Sequence, residues 1–210
     1  MVGPRVKVKI CGITNLEDAL ASLFSGADAL GFVFYKKSPR YIEPVKAAGI
    51  SRILPKHIAR VGVFVNEAPQ KVRKIAQLCR LDMLQFHGQE SPQYCSKFKG
   101  YKVIKAFRIK DRVDVKGLSR YKVYACLLDT FIKARPGGTG KKFDWNLIGK
   151  TDKIKKRLFL SGGLNQRNVR PAIKKIKPDW VDVSSSVEAK AGKKDHNKII
   201  CFIKRCQQCQ

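Results

Sequence analysis

Acidic residues are scarce in this chain of 210 residues: 16 Asp and Glu stand against 44 Lys and Arg, for a formal charge of +28. No apolar run approaches the roughly 18 residues of a membrane-crossing helix, so no membrane association is expected. The first residues form no apolar segment of the signal-peptide type, so export is not expected either. There is no nucleic-acid-binding signature and no basic patch interleaved with aromatics. The lysines instead spread along the chain, over expected helix surfaces such as Lys71, Lys74, Lys174, Lys175, Lys193 and Lys194. That distribution reads as a solvated basic surface whose field also draws in small anions. A nucleic-acid-binding protein is the rival reading, and it would show steep salt dependence. The seven cysteines are an odd number, and five of them are scattered singly, at 11, 79, 95, 126 and 201. A reduced, cytoplasmic chain is the expectation.

What is present is a regular alternation of strand and helix patterns. In Val6-Lys7-Val8-Lys9-Ile10 apolar and charged residues alternate, with β-branched residues on the apolar beat, a strand signature. It stops at Cys11-Gly12, and Thr14 stands three residues before Glu17, the spacing of a capping box opening a helix. Further strands are expected to start near residues 28, 60, 82, 102, 123, 157 and 180. Between them helices are expected over about 16–25, 45–54, 69–79, 91–98, up to 118, 144–148, 165–176 and 195–205. Strict alternation implies a parallel sheet, and eight repeats imply a closed (β/α)8 TIM barrel occupying 1–210 as one domain. The tail 204–210, which holds Cys206 and Cys209 as a C-x-x-C pair, is expected to be frayed.

A barrel gathers its strand ends on one rim, where ligands bind. The polar residues expected there are Cys11, Arg40, His87, Asp129, Ser161-Gly162-Gly163 and Ser184-Ser185. Glycines and hydroxyls in the loops after strands 7 and 8 suit a phosphate, because backbone N–H groups can approach an anion closely there. Each loop could also be only a turn. Cys11 reads either as a small buried hydrophobe or as a functional thiol. Strands 1 and 6 are expected to face each other, which would set Cys11 and Asp129 on two sides of a ligand. A thiolate that takes a proton from carbon and a carboxylic acid that gives one to oxygen suit an isomerisation. Arg40 offers a fork of donors for a carboxylate. Asp129 could equally be a turn former, and His87 a structural cap.

These motifs resemble the phosphoribosylanthranilate isomerase family of tryptophan biosynthesis. The matching stretches are Lys9-Ile10-Cys11-Gly12-Ile13-Thr14, Gly31-Phe32-Val33-Phe34, Ser38-Pro39-Arg40-Tyr41-Ile42, Val61-Gly62-Val63-Phe64-Val65-Asn66 and Leu84-Gln85-Phe86-His87-Gly88. Leu128-Asp129-Thr130, Gly137-Gly138-Thr139-Gly140, Phe143-Asp144-Trp145, Ser161-Gly162-Gly163-Leu164 and Asp182-Val183-Ser184-Ser185 follow in the family's order. The resemblance implies an Amadori rearrangement of N-(5-phosphoribosyl)anthranilate, a small phosphosugar, with no cofactor and no metal. It implies Cys11 as general base and Asp129 as general acid. It places Arg40 at the anthranilate end, with Gly162, Gly163, Ser184 and Ser185 on the phosphate and His87, Asp182 and Glu188 bordering the ligand. A monomer and a homodimer are both compatible with the motifs. The related sugar-isomerase barrel of histidine biosynthesis carries an aspartate where this chain has Cys11. One departure stands out: Ser186 occupies a position that is usually Gly in the family. If glycine there relieves backbone strain, weaker phosphate binding is expected.

Overall fold

In the computed structural model, which describes residues 5–109, 113–129 and 154–208, eight parallel strands close a barrel in sequence order. They are β1 (Lys7–Cys11), β2 (Ala29–Val33), β3 (Ala59–Phe64), β4 (Met83–Phe86), β5 (Lys102–Arg108), β6 (Ala125–Asp129), β7 (Arg157–Ser161) and β8 (Trp180–Val183). The ring shuts where Lys9 of β1 pairs with Ala29 on one side and with Asp182 on the other. The helices are α1 (Leu16–Phe24), α2 (Pro44–Ile53), α3 (Pro69–Leu78), α4 (Pro92–Cys95), α5 (Val115–Ser119), α6 (Val169–Ile176) and α7 (His196–Gln207). The barrel expectation is borne out, with every strand starting within a few residues of its expected place.

The outer face of the sheet carries the larger core. Val6, Val8 and Ile10 of the first alternating run point outward and join it, together with Phe32, Phe64, Phe86 and Phe202. The other beat of that run, Lys7, Lys9 and Cys11, therefore points into the barrel. Inside, Ala29, Val61, Met83, Ile104, Ala106, Ala125, Leu127, Phe159 and Trp180 fill the lower half. The Phe159 and Trp180 rings stack with centroids 4.8 Å apart. A packed floor of this kind leaves the carboxyl end of the barrel as the open one.

At the opposite end, one device repeats. Asp28, Asp82 and Asp179, each just ahead of an even-numbered strand, accept the backbone N–H of Val8, Arg60 and Leu158 on the preceding strand, each at 2.8 Å. Each aspartate also pairs with an arginine, respectively Arg5, Arg60 and Arg157. These three aspartates thus cap backbone donors that would otherwise be left without a partner, and some of the basic excess is spent on holding them in place.

Several local expectations are corrected. Helix α1 is capped by Asn15, which accepts from the Asp18 N–H at 2.8 Å. The Thr14 hydroxyl donates instead to the Gly192 carbonyl. Beyond α4, Lys97 and Phe98 donate three residues back, to Tyr94 and Cys95, so the expected helix tightens into 3-10 turns. Helix α6 starts at Val169; Asn165 forms a turn ahead of it, accepting from Arg167 and Asn168. Residues 204–207 are not frayed: they are the last turn of α7, and Phe202, Ile203 and Cys206 on its inner face are buried in the outer core. After β8 the chain makes a 3-10 turn at Ser185–Val187, then a two-stranded hairpin of β9 (Glu188–Lys190) and β10 (Lys193–Lys194) that the alternation did not announce. Thr130, the Gly-rich loop 131–142, the helix expected over 144–148 and Cys209 lie outside the described residues. Among the described residues no helix is long and apolar enough to cross a membrane.

Candidate active site

At the open end the inward-facing strand residues turn from apolar to polar and surround a cavity of about 460 Å³. Its walls include Cys11, Arg40, Gln85, His87, Asp129, Gly162, Gly163, Asp182, Ser184 and Ser185. Nine of the ten expected site residues are therefore gathered in one place. The tenth, Glu188, does not line the cavity; it sits behind Arg40. The expected geometry of strands 1 and 6 needs correction. With eight strands in sequence order, β7 and β8 separate β6 from β1, and β5 is the strand opposite β1. Cys11 and Asp129 nevertheless look into the same space, because the barrel is narrow enough for one ligand to touch several strand ends.

On the β4–β6 side a chain of hydrogen bonds runs along the wall. The Gln85 amide donates to His87 Nδ1 at 3.0 Å, which leaves the proton on Nε2, 3.2 Å from Asp129 Oδ2. Gln85 is buried at 1% exposure. With the Gln85 amide N–H on Nδ1, the imidazole presents Nε2 to Asp129.

On the β1–β8 side lies a buried ion pair. Lys9 is fully buried and its ammonium meets Asp182 at 2.6 Å. Asp182 also accepts from the Ser161 hydroxyl at 3.1 Å. Burial alone would push the Lys9 ammonium down, but Asp182 and then Cys11 outweigh it and hold the ammonium above the ordinary lysine range. For Cys11 burial is the largest influence and pushes the thiol up, while Lys9 is the strongest influence in the other direction. Glycine at position 31 makes room for this corner: a Cβ there would lie 2.8 Å from the Cys11 sulfur and 3.2 Å from Lys9 Cε.

A third cluster sets Arg40. Glu188 accepts from Arg40 Nε at 2.8 Å and from Nη2 at 2.7 Å, and takes the buried Lys194 ammonium at 3.0 Å. Although burial opposes it, these two cations hold the Glu188 carboxyl below the usual carboxylate range. Burial lowers the Lys194 ammonium, with Glu188 working against the shift. Gly12, at φ 81°, permits the close packing, since a Cβ would come within 2.8 Å of Arg40 Cδ.

The loops after β7 and β8 meet at one end of the cavity. Gly162 and Gly163 have φ of 88° and 66°, conformations that only glycine adopts readily. The Ser184 hydroxyl donates to the Cys11 carbonyl at 3.1 Å, tying the β8 end to the β1 end. Ser186 is not among the residues with positive φ, so the strain argument for glycine at this position falls. Its hydroxyl donates to the Leu164 carbonyl and joins the two loops.

Sequence reasoning missed Lys9, Gln85 and Lys194 as members of the site or its supports. Lys9 and Lys194 are two among many lysines, and nothing local marks them as buried. Lys9 did carry one signal, its position two residues before Cys11 on the same side of a strand.

Comparison with known proteins adds a separate line of observation. The sequence profile described as N-(5′-phosphoribosyl)anthranilate (PRA) isomerase matches residues 8–205. A curated N-(5′-phosphoribosyl)anthranilate isomerase of Thermotoga maritima is 51% identical over 203 residues, covering 96% of this chain and 98% of its own. A crystal structure of phosphoribosyl anthranilate isomerase from the same organism is similar with a TM-score of 0.90 and 50% identity, covering 97% of this chain and 99% of that one. A further crystal structure, of the isomerase in complex with reduced 1-(o-carboxyphenylamino)-1-deoxyribulose 5-phosphate, matches with a TM-score of 0.87 and 48% identity over the same shares.

Proposed function

The chain belongs to the N-(5′-phosphoribosyl)anthranilate isomerase family, and from that premise we propose how its own residues carry out the rearrangement of N-(5′-phosphoribosyl)anthranilate to 1-(2-carboxyphenylamino)-1-deoxyribulose 5-phosphate. The protein is an isomerase of tryptophan biosynthesis. The observation that carries the assignment is the single cavity that Cys11 and Asp129 share with Arg40 and the two loops after β7 and β8.

In this reading Gly162, Gly163, Ser184 and Ser185 hold the phosphate, with backbone N–H groups directed at it. Arg40 takes the anthranilate carboxylate, its fork held in place by Glu188. Asp129 gives its proton to the ribose ring oxygen. The C1′–O bond breaks as the anilino nitrogen supplies its electron pair, leaving a protonated Schiff base. The Cys11 thiolate then removes the C2′ proton, and the C–H electrons flow to nitrogen to form the enolamine. The enolamine tautomerises, its C2′ hydroxyl losing a proton as C1′ gains one, and the ketone results. His87 keeps Asp129 oriented toward the ring oxygen, and Asp182 borders the ligand beside Ser161. General acid and base groups each contribute typically 10²–10⁴-fold, so neither alone accounts for turnover.

The test couples anthranilate and phosphoribosyl pyrophosphate through the preceding transferase and follows loss of the aminated-sugar fluorescence. Cys11→Ala and Asp129→Asn should each lower kcat by about two orders of magnitude or more with the fold intact. Near wild-type turnover in either variant removes that residue from its role.

A further inference from the structure

Among the described residues, Lys9 is a fully buried lysine on the inner face of the barrel, two residues below the cavity-lining Cys11. It precedes Cys11 by two residues on β1, so both side chains leave the strand on the inner face. Both come to rest over the same spot on β2: the absent Cβ of Gly31 would touch the Cys11 sulfur and Lys9 Cε together. A desolvated ammonium needs a counter-charge, and Asp182 supplies one at 2.6 Å. Yet Asp182 alone leaves the arrangement unexplained, because a buried pair with no task could be replaced by packed apolar residues at little or no cost. The unexplained element is the thiol beside it.

We propose that Lys9 is the positioning residue of the reaction's base: its ammonium, buried in the barrel and anchored by Asp182, is the counter-charge that the Cys11 thiolate forms against. This rests on the reading of Cys11 as the general base. The charged groups that face Cys11 are Lys9 on β1, Asp182 on β8, Lys194 on β10 and Arg40 in the loop after β2. From β2 and β3 the uncharged Gly31, Val33 and Val63 pack against it, and Tyr35, just beyond β2, packs against the same cluster. Lys194 and Arg40 share Glu188, which absorbs part of their field. Asp182 works against a thiolate, so Lys9 has the dual task of neutralising that carboxylate and favouring the sulfur anion. Lys9 moves no proton; it lowers the free energy of the thiolate that the abstraction step requires, and its anchored position keeps the sulfur directed into the cavity.

The experiment measures the pH dependence of Cys11 alkylation by iodoacetamide in the full chain carrying Cys201→Ser and Cys209→Ser, with the site of labelling read by mass spectrometry. Adding Lys9→Met should move the midpoint upward by at least about one pH unit, a roughly tenfold loss of thiolate at neutral pH. The rising limb of kcat/KM should move with it, while KM stays within a few-fold. Because Lys9→Met leaves Asp182 buried without its partner, Lys9→Met/Asp182→Asn is measured in parallel. It removes both charges and should still show a midpoint above the parent. A midpoint unchanged in whichever variants fold overturns the proposal. Alkylation reads the thiol directly, so this result stands apart from the assignment of Cys11 as base, which Cys11→Ala turnover decides on its own.

Discussion

Glu188 grips Arg40 through both Nε and Nη2, at 2.8 and 2.7 Å, and so sets the direction of a guanidinium that the cavity exposes. Glu188→Gln keeps the size but loses the charge. The arginine then swings among rotamers, and the substrate carboxylate must order it on binding. An increase in KM of about tenfold, with kcat changed less, is expected from the loss of roughly 1.5 kcal/mol in a charge-assisted pair. Steady-state kinetics separate the two constants, and an unchanged KM rejects this role.

The same carboxylate makes an acid-side stability prediction. Its folded-state pKa lies below its unfolded value because Arg40 and Lys194 outweigh burial. The stabilisation is therefore present above the unfolded carboxyl range and is lost as pH falls through the folded value. Between about pH 5 and pH 3 the Tm of the parent should fall more steeply than that of Glu188→Gln. Parallel melting curves across that window decide it.

Gly31→Ala is a substitution of one methyl group with a defined target. The added carbon would sit 2.8 Å from the Cys11 sulfur, closer than packed atoms tolerate, and a tight 3.1 Å from Cys11 Cα. The backbone atom cannot yield, so the thiol must shift. A displacement of the base by even a fraction of an ångström should lower kcat by tenfold or more, with a loss of about 1–3 kcal/mol in stability from overpacking. Normal turnover in a folded Gly31→Ala enzyme would show that the sulfur position is not critical.

Burial raises the Cys11 thiol above the ordinary cysteine value, with Lys9 offsetting part of the shift. A base works only when deprotonated, so kcat/KM should climb with pH at a slope near one and level off above the usual thiol range. In Cys11→Asp, which supplies a carboxylate of far lower pKa, any residual activity should lose that limb. A wild-type profile that is flat from pH 6 to pH 9 contradicts the assignment.

Ser186 joins the loops after β7 and β8, the proposed phosphate end, through its bond to Leu164, and its backbone is unstrained. Ser186→Gly should therefore weaken, not improve, phosphate binding. The loss of a hydrogen bond worth about 1 kcal/mol corresponds to a KM increase of roughly fivefold. A lower KM in the glycine variant would restore the strain argument.

The strand–helix order, the closed barrel and eight of the ten expected site residues followed from local information in the chain: period, turn residues and the rule that strand ends converge; Asp182 and Glu188 came from the family resemblance. Cys11, Asp129 and the Ser161-Gly162-Gly163 turn are each announced by what immediately precedes them. Glu188 was placed near the ligand but not behind Arg40, since the hairpin that carries it back has no alternation to read. The fraying expected after residue 203 failed for a related reason. Cys206 looks like part of a polar tail until α1 and the barrel are there to cover it.

The tertiary structure alone decided which of the many cations are structural. In β1 the apolar beat of the alternation faces the helices and the charged beat faces the barrel, the reverse of a sheet with one face in water. Lys9 and Lys194 were thereby taken out of solvent and matched to Asp182 and Glu188. Sequence sets the charge of a lysine, but the dielectric around it and the distance to its partner come from the fold: Asp182 lies 173 positions from Lys9, and Lys194, only six positions from Glu188, leaves solvent because its hairpin packs against Asp18.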